Sequence, residues 1–336
     1  MPLIETTGLT KVFRQPVKDP GLSGSLKHLF TRQYKDHVAV SGIDLSIEAG
    51  EAVAYVGPNG AGKSTTIKML TGILVPTAGE IHVAGLVPHK QRIQNARNIG
   101  VVFGQRTQLW WDIPVRESLG LLRDIFDVPR DVYLERIARF TELLELEEIL
   151  PSIARRLSLG QRMRADLAAA LLHNPKILYL DEPTIGLDIA VKDRVRAFIR
   201  ELVAESGTTV MLTTHDLGDI EDICKRIVII DVGRIIYDGD IQAVKDTFAR
   251  ERSMHFFARE AVSLDAIRER LGDVQVIGGE TPEELQVRFD RFDTTAGDVV
   301  GAVMAVADIV DVRIDEPAIE DVVRKVYAGQ LDLSAT

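Results

Sequence analysis

Gly57-Pro58-Asn59-Gly60-Ala61-Gly62-Lys63-Ser64-Thr65 fits G-x-x-x-x-G-K-[ST], the pattern of a phosphate-binding loop. The apolar run Ala52-Val53-Ala54-Tyr55-Val56 precedes it, and Thr66 to Leu70 reads as the beginning of a helix. That strand–loop–helix setting is what the pattern requires. Glycines let backbone N–H groups turn inward around an anion, and the helix that follows adds its positive N-terminal end. In this reading the loop residues cradle a nucleotide's phosphates, Lys63 reaches the β and γ phosphates, and the Ser64 hydroxyl ligates Mg²⁺.

Around this loop the bulk properties set limits. A chain of 336 residues suggests two domains. Its 46% apolar and 27% charged residues are those of an ordinary globular protein. No apolar run approaches the roughly 18 residues of a membrane-spanning helix. Met1 to Glu5 lacks the basic and apolar regions of a secretory leader, so a cytosolic protein is expected. Cys224 is the sole cysteine, which excludes an internal disulfide and reads as a small buried hydrophobe. Of the net charge of −10, residues 250–336 carry most, with 10 Lys and Arg against 18 Asp and Glu. Neither part has the concentrated basic face of a nucleic-acid binder, and no nucleic-acid partner is expected.

Taken in order, Leu3 to Phe13 reads as an edge strand. Arg14 to His37 is a basic insertion, with Leu22, Leu26, Leu29 and Phe30 at helical spacing. It suits either a solvated surface segment or a contact helix. Strands are expected again at Ile43–Ile47, Glu80–Val83 and Ile99–Phe103. Residues from about 114 to 170 look like a helical subdomain. Ile177–Leu180, Thr209–Thr213 and Ile227–Ile230 alternate with helices, and a hairpin then ends near Tyr237. This alternation argues an α/β fold with a mainly parallel sheet covered on both faces. After Asp240 the pattern restarts as strand, helix, strand, strand, helix, strand between Ser253 and Ile314, the order of a ferredoxin-like α+β unit, with a further helix at Ile319–Tyr327. Phe256, Ile267, Leu271, Val287, Val303 and Val310 fall on its expected inward faces. The expected domains are 1–245 and 250–330.

Further motifs narrow the chemistry. Leu178-Tyr179-Leu180-Asp181-Glu182-Pro183 is an apolar strand ending in two acids. One such carboxylate can hold Mg²⁺ through its water shell while the other polarises an attacking water. Leu157-Ser158-Leu159-Gly160-Gln161 opens a helix with a good N-cap serine. Gly186-Leu187-Asp188 and Thr213-Thr214-His215-Asp216 follow.

This ordered set resembles the nucleotide-binding subunit of ATP-binding cassette (ABC) transporters over roughly residues 3–240. The resemblance implies a P-loop cassette with a parallel sheet core, an antiparallel β subdomain and a helical subdomain, binding ATP and Mg²⁺. It implies that Asp181 serves Mg²⁺, that Glu182 activates water, and that His215 contacts the γ-phosphate and links it to Glu182. Gln105, in Phe103-Gly104-Gln105, matches the family's Gln-loop residue, a Mg²⁺ ligand close to the chemistry. Phe13 stands where an aromatic stacks on adenine, or is an ordinary strand aromatic. Ser158, Gly160 and Gln161 would act on ATP held by a second ATP-binding subunit, with Asp188 at that junction. Leu159 departs from the usual Leu-Ser-Gly-Gly-Gln.

Asp315-Glu316-Pro317-Ala318-Ile319-Glu320-Asp321-Val322 is similar to the segment ending the accessory domain of many prokaryotic ABC-2 type exporter ATPases. Trp110 and Trp111 suit either an interface anchor or packing within the helical subdomain. The resemblance implies a homodimer powering a separate transmembrane permease from the cytoplasmic face of the membrane. A soluble ABC ATPase acting on nucleic acid or ribosomes is the alternative. No second cassette and no heptad run is present to support it.

Overall fold

The central strands of this protein are continuous apolar runs, and burial on both faces dictates that they pair in parallel. The computed structural model describes residues 2–16, 34–104, 106–214, 216–248, 251–272 and 274–315. Within them the chain divides into two compact units, with the boundary between Gly239 and Asp240.

In the first unit, β1 (Ile4–Pro16), β2 (Tyr34–Ile47) and β4 (Ala78–Val83) form an antiparallel sheet in the order β2-β1-β4. A six-stranded sheet has the order β5-β6-β7-β3-β8-β9. Its members are β3 (Ala52–Val56), β5 (Ile99–Phe103), β6 (Ile177–Asp181), β7 (Thr209–Thr213), β8 (Arg226–Asp231) and β9 (Arg234–Asp240). The pairs from β5 through β6, β7 and β3 to β8 are parallel. Val53, Tyr55, Tyr179, Met211 and Val228 are fully buried, and one core joins this sheet to α1 (Lys63–Leu70) and the antiparallel sheet. α2 (Arg92–Asn98) leads into β5. The helical subdomain holds α3 (Val115–Ile125), α4 (Arg130–Leu144) and α5 (Leu159–Leu171), while α6 (Ile189–Ser206) and α7 (Leu217–Ile223) flank β7.

The second β-strand starts earlier than its apolar pattern suggests. Alternation of buried Ile43, Leu45 and Ile47 marks its end, yet pairing already begins at Tyr34 opposite Pro16. Arg14 lies opposite Asp36, so the ends of the basic insertion belong to a hairpin in which opposite charges face each other. The helical spacing at Leu22–Phe30 lies outside the described residues, as does the expected helix at Ile319–Tyr327. Trp110 and Trp111 are 41% and 53% exposed, and Arg162 of the helical subdomain lies over the Trp111 ring. Cys224 is buried, and burial pushes its thiol well above the ordinary range.

In the second unit, α8 (Ile241–Phe248) precedes β10 (Glu251–Ala258), α9 (Leu264–Leu271), β11 (Gln275–Gly278), β12 (Glu284–Asp290), α10 (Ala296–Met304) and β13 (Ile309–Asp315). The sheet order β11-β12-β10-β13 is antiparallel throughout, as the β-α-β-β-α-β pattern requires. Phe256, Ile267, Val287 and Val303 are fully buried, and Leu271 packs at their edge. Val310, expected to point inward, is instead 61% exposed. The register slips at this point: Phe257 faces Asp311 and Ala258 faces Ile309, leaving Val310 as the extra residue of a bulge. Removing the Phe256 ring should destabilise this unit by about 3–5 kcal/mol. Phe256→Ala should therefore speed amide exchange across β10 and β12, and unchanged exchange there would contradict the core assignment.

Candidate active site

The carboxyl ends of parallel strands are where open α/β sheets bind ligands, because loops there converge on helix N-termini. Here β3 runs into the loop 57–62 and then α1. Gly62 caps that helix at a φ of +111°, and a side chain on it would come within 2.5 Å of the Ala39 carbonyl. Only glycine satisfies both demands. The Lys63 ammonium donates to the Gly57 and Pro58 carbonyls at 2.5 and 3.3 Å. Burial lowers its pKa, while Glu182 and Asp181 nearby act to raise it. The lysine thus feels the two acids at and just past the end of β6.

Those acids are placed by register. Phe103, Asp181 and Thr213 stand opposite one another across β5, β6 and β7. Thr213 Oγ1 donates to Asp181 Oδ1 at 2.5 Å, and Ser64 Oγ donates to Asp181 Oδ2 at 3.3 Å. A hydroxyl and a carboxylate oxygen therefore meet beside the loop. Such hard oxygen donors suit Mg²⁺, which takes its remaining ligands from phosphate and water. Among the described residues no cluster of three or more His, Cys, Asp or Glu assembles. Glu182 has a φ of +57°, a strained conformation for a residue with a side chain. Its N–H donates to the Thr213 carbonyl at 2.8 Å. Gly104 makes the close approach possible: a side chain there would lie 2.5 Å from the Glu182 carbonyl oxygen.

Gly62, Lys63, Ser64, Gly104, Asp181 and Glu182 line one cleft of about 550 Å³, with Pro58, Asn59, Gly60, Thr65 and Phe13. His37, directly across from Phe13 in the hairpin, lines it too. Gln105 and His215 lie outside the described residues. Ser158, Gly160, Gln161 and Asp188 do not line this cleft. Ser158 instead caps α5: its Oγ accepts from the Gln161 N–H at 3.2 Å, and its own N–H donates to Gln161 Oε1 at 3.0 Å. Asp188 caps α6 by accepting from the Val191 N–H at 3.0 Å. Leu159 reaches Gly186, where an added side chain would lie 2.9 Å from its Cδ2.

The family model described as "ABC transporter" matches residues 40–185. The Nod factor export ATP-binding protein I of Cupriavidus metallidurans is 37% identical over 207 residues, covering 61% of this chain and 67% of that protein. The chain belongs to the ABC transporter ATP-binding family. A methionine import ATP-binding protein, MetN of Latilactobacillus sakei, is 30% identical over 292 residues, 85% of this chain and 84% of its own. Among solved structures, the cassette MJ0796 in a dimeric post-hydrolysis state bound to ADP and Pi superposes with a TM-score of 0.59 at 25% identity, over 71% of this chain and 98% of that one. The protein is an ATPase subunit of an ABC transporter, and no helix among the described residues is long and apolar enough to cross a membrane.

Motif reading of the cassette missed two residues that organise this site. For Thr213 the available signal is a threonine ending an apolar strand in the stretch that leads to His215. No local signal marks Asp166. On α5, eight residues past Ser158, it is only 3% exposed. Its Oδ1 accepts from Thr107 Oγ1 at 2.8 Å and the Gln108 N–H at 3.1 Å. The segment following Gln105 is thereby fastened to the helix that Ser158 begins. Burial pushes the Asp166 carboxyl up to about 6, against the pull of Thr107, Gln108 and Arg162. Between pH 4 and 6 the folded cassette thus holds a proton that the unfolded chain releases, and this contribution to stability is lost as pH rises through 6. Relative to Asp166→Asn, the wild-type protein should lose about 2 kcal/mol of stability between pH 4.5 and 7.5. Parallel stability curves in urea titrations across that range would contradict the buried carboxyl.

Proposed function

We propose that this subunit binds ATP and Mg²⁺ in the cleft between the phosphate loop and the ends of β6 and β7, closes on a second copy of itself, and drives a separate membrane permease in the export direction. The observation that carries the reading is the convergence of Lys63, Ser64, Asp181 and Glu182 on one cleft, from which the Ser158 helix start is absent. A loop without its Ser158 partner is half of a nucleotide site, and a second cassette supplies the rest. The dimeric state of the similar MJ0796 cassette supports this arrangement. The likeness to the Nod factor export ATP-binding protein supports export.

In this proposal the backbone N–H groups of Gly57 to Thr65 and the Lys63 ammonium neutralise the phosphates, and Phe13 flanks the base. Ser64, Asp181 and Gln105 would hold Mg²⁺, which when bound offsets further phosphate charge. Glu182 orients the water that attacks the γ-phosphorus and accepts its proton as the bond to ADP breaks, with His215 assisting. Ser158, Gly160 and Gln161 of the second copy cover the γ-phosphate, since a capped helix N-terminus favours an anion. Asp188 lies at the junction of the two copies.

Glu182→Gln should bind ATP normally yet lose about 10²–10⁴-fold in turnover. Wild-type turnover in that variant would refute the base assignment. Ser158→Arg, made in the Glu182→Gln background, should leave the monomer's ATP affinity intact and abolish ATP-driven dimerisation in light scattering. An unchanged ATP-dependent dimer would rule out the shared site.

A further inference from the structure

Asp219, on α7, is fully buried, as are Thr184 and Thr214 around it. One carboxylate oxygen accepts from both Thr184 Oγ1 and, at 3.1 Å, Thr214 Oγ1. The other accepts from Arg196 Nε at 2.6 Å. The Thr214 hydroxyl also accepts from the Asp216 N–H at 2.9 Å, and Asp216 in turn meets Arg196 at 3.2 Å and Lys192 at 2.5 Å. A buried carboxylate is costly unless every lone pair is answered. Here two hydroxyls and a guanidinium answer it.

What the carboxylate joins is more informative than how it is satisfied. Thr184 lies two residues after Glu182 on the turn that ends at Asp188. Besides the packing of buried Pro183 and Leu187, the turn has the Leu187 N–H reaching the Thr184 carbonyl at 3.2 Å and the Ile185 N–H reaching the Glu182 carbonyl at 3.4 Å, and Gly186 takes a left-handed conformation. Asp188 then caps α6, and Arg196 lies about two turns along that helix. The restraint therefore closes on itself, from Asp219 through Thr184 and the turn to Asp188, along α6, and back through Arg196. Glu182, at one end of the turn, holds a left-handed φ of +57°. Such conformations persist only where the surroundings fix them from several sides.

We propose that Asp219 is a positioning residue that fixes the turn after Glu182 against the end of β7 and α6, holding Glu182 in its strained backbone conformation. The inference rests on the reading of Glu182 as the residue that orients water. Asp219 touches neither the loop 57–65 nor the cleft wall, so its loss affects turnover and not nucleotide affinity.

The test compares Asp219→Ala, Asp219→Asn and Thr184→Val in the full chain, measuring Kd with a fluorescent ATP analogue and kcat at saturating ATP and fixed protein concentration. Misplacing a catalytic group costs about 10²-fold, and Asp219→Ala should lose kcat on that order while Kd changes by less than about threefold. Asp219→Asn should recover most of the rate. Its amide oxygen accepts from Arg196, and its NH₂ donates to the two hydroxyl oxygens. Thr184→Val removes one donor at constant shape and should lower kcat by about tenfold without altering Kd. Should Asp219→Ala fail to fold, Thr184→Val and Asp219→Asn decide the question. Wild-type kcat in Thr184→Val, or a parallel loss of kcat and ATP affinity in every folded variant, overturns the proposal. Glu182→Gln run alongside separates the failures. If it is fully active, the reading of Glu182 falls; if it is inactive while the Asp219 and Thr184 variants turn over normally, only the positioning role falls.

Discussion

The hydrogen bond from Thr213 to Asp181 spans two parallel strands that are otherwise buried in the core, and the active site is laid out from it. It exists because β6 and β7 are paired so that their last residues face each other. The same register sets Phe103 beside Asp181, bringing Gly104 within reach of the Glu182 backbone. On the other side Ala54 faces Leu212, so β3 delivers the phosphate loop to the same end of the sheet. A one-residue slip would send every side chain of a strand to the opposite face, which the fully buried core forbids. Hydrophobic burial thus fixes the register, and the register places the acids.

Against this rigid base, the catalytic segments are held by a small number of buried polar ties. Asp166 fastens the stretch after Gln105 to α5, and Asp219 fastens the turn after Glu182 to α6 and β7. Both carboxylates are removed from water, which makes them poor stabilisers but stringent specifiers of geometry. Glu182 shows the consequence most directly, because its left-handed backbone is sustained by neighbours on both sides.

Much of this was legible in the sequence because the relevant signals are local. Gly57 to Thr65 declares its own backbone geometry, and the acids of Asp181-Glu182 end an unmistakable apolar run. The β-α-β-β-α-β order was readable from periodicity, and the antiparallel sheet follows it. Other features depend on partners distant in the chain. Asp166 looks like an ordinary helix-surface acid until Thr107 and Gln108 are brought to it. Val310 fits the alternation of a strand, and only the pairing with β10 reveals the bulge that turns it outward. The start of β2 at Tyr34 was hidden because its exposed, charged residues pair across a hairpin without adding to the core.

In the proposed arrangement each ATP lies between the phosphate loop of one copy and the Ser158 helix start of another, and mixing two defective subunits tests this most directly. A Lys63→Ala subunit keeps its Ser158 helix but lacks a working loop, whereas a Ser158→Arg subunit keeps its loop. Both are made in the Glu182→Gln background so that ATP is retained. A head-to-tail pair of the two contains one site intact for ATP binding and one doubly defective site. With shared sites, neither protein alone dimerises with ATP, and their mixture forms a heterodimer holding about one ATP, as expected for mass action on a single restored site. A mixture that behaves as the sum of two inactive monomers would rule out the shared site.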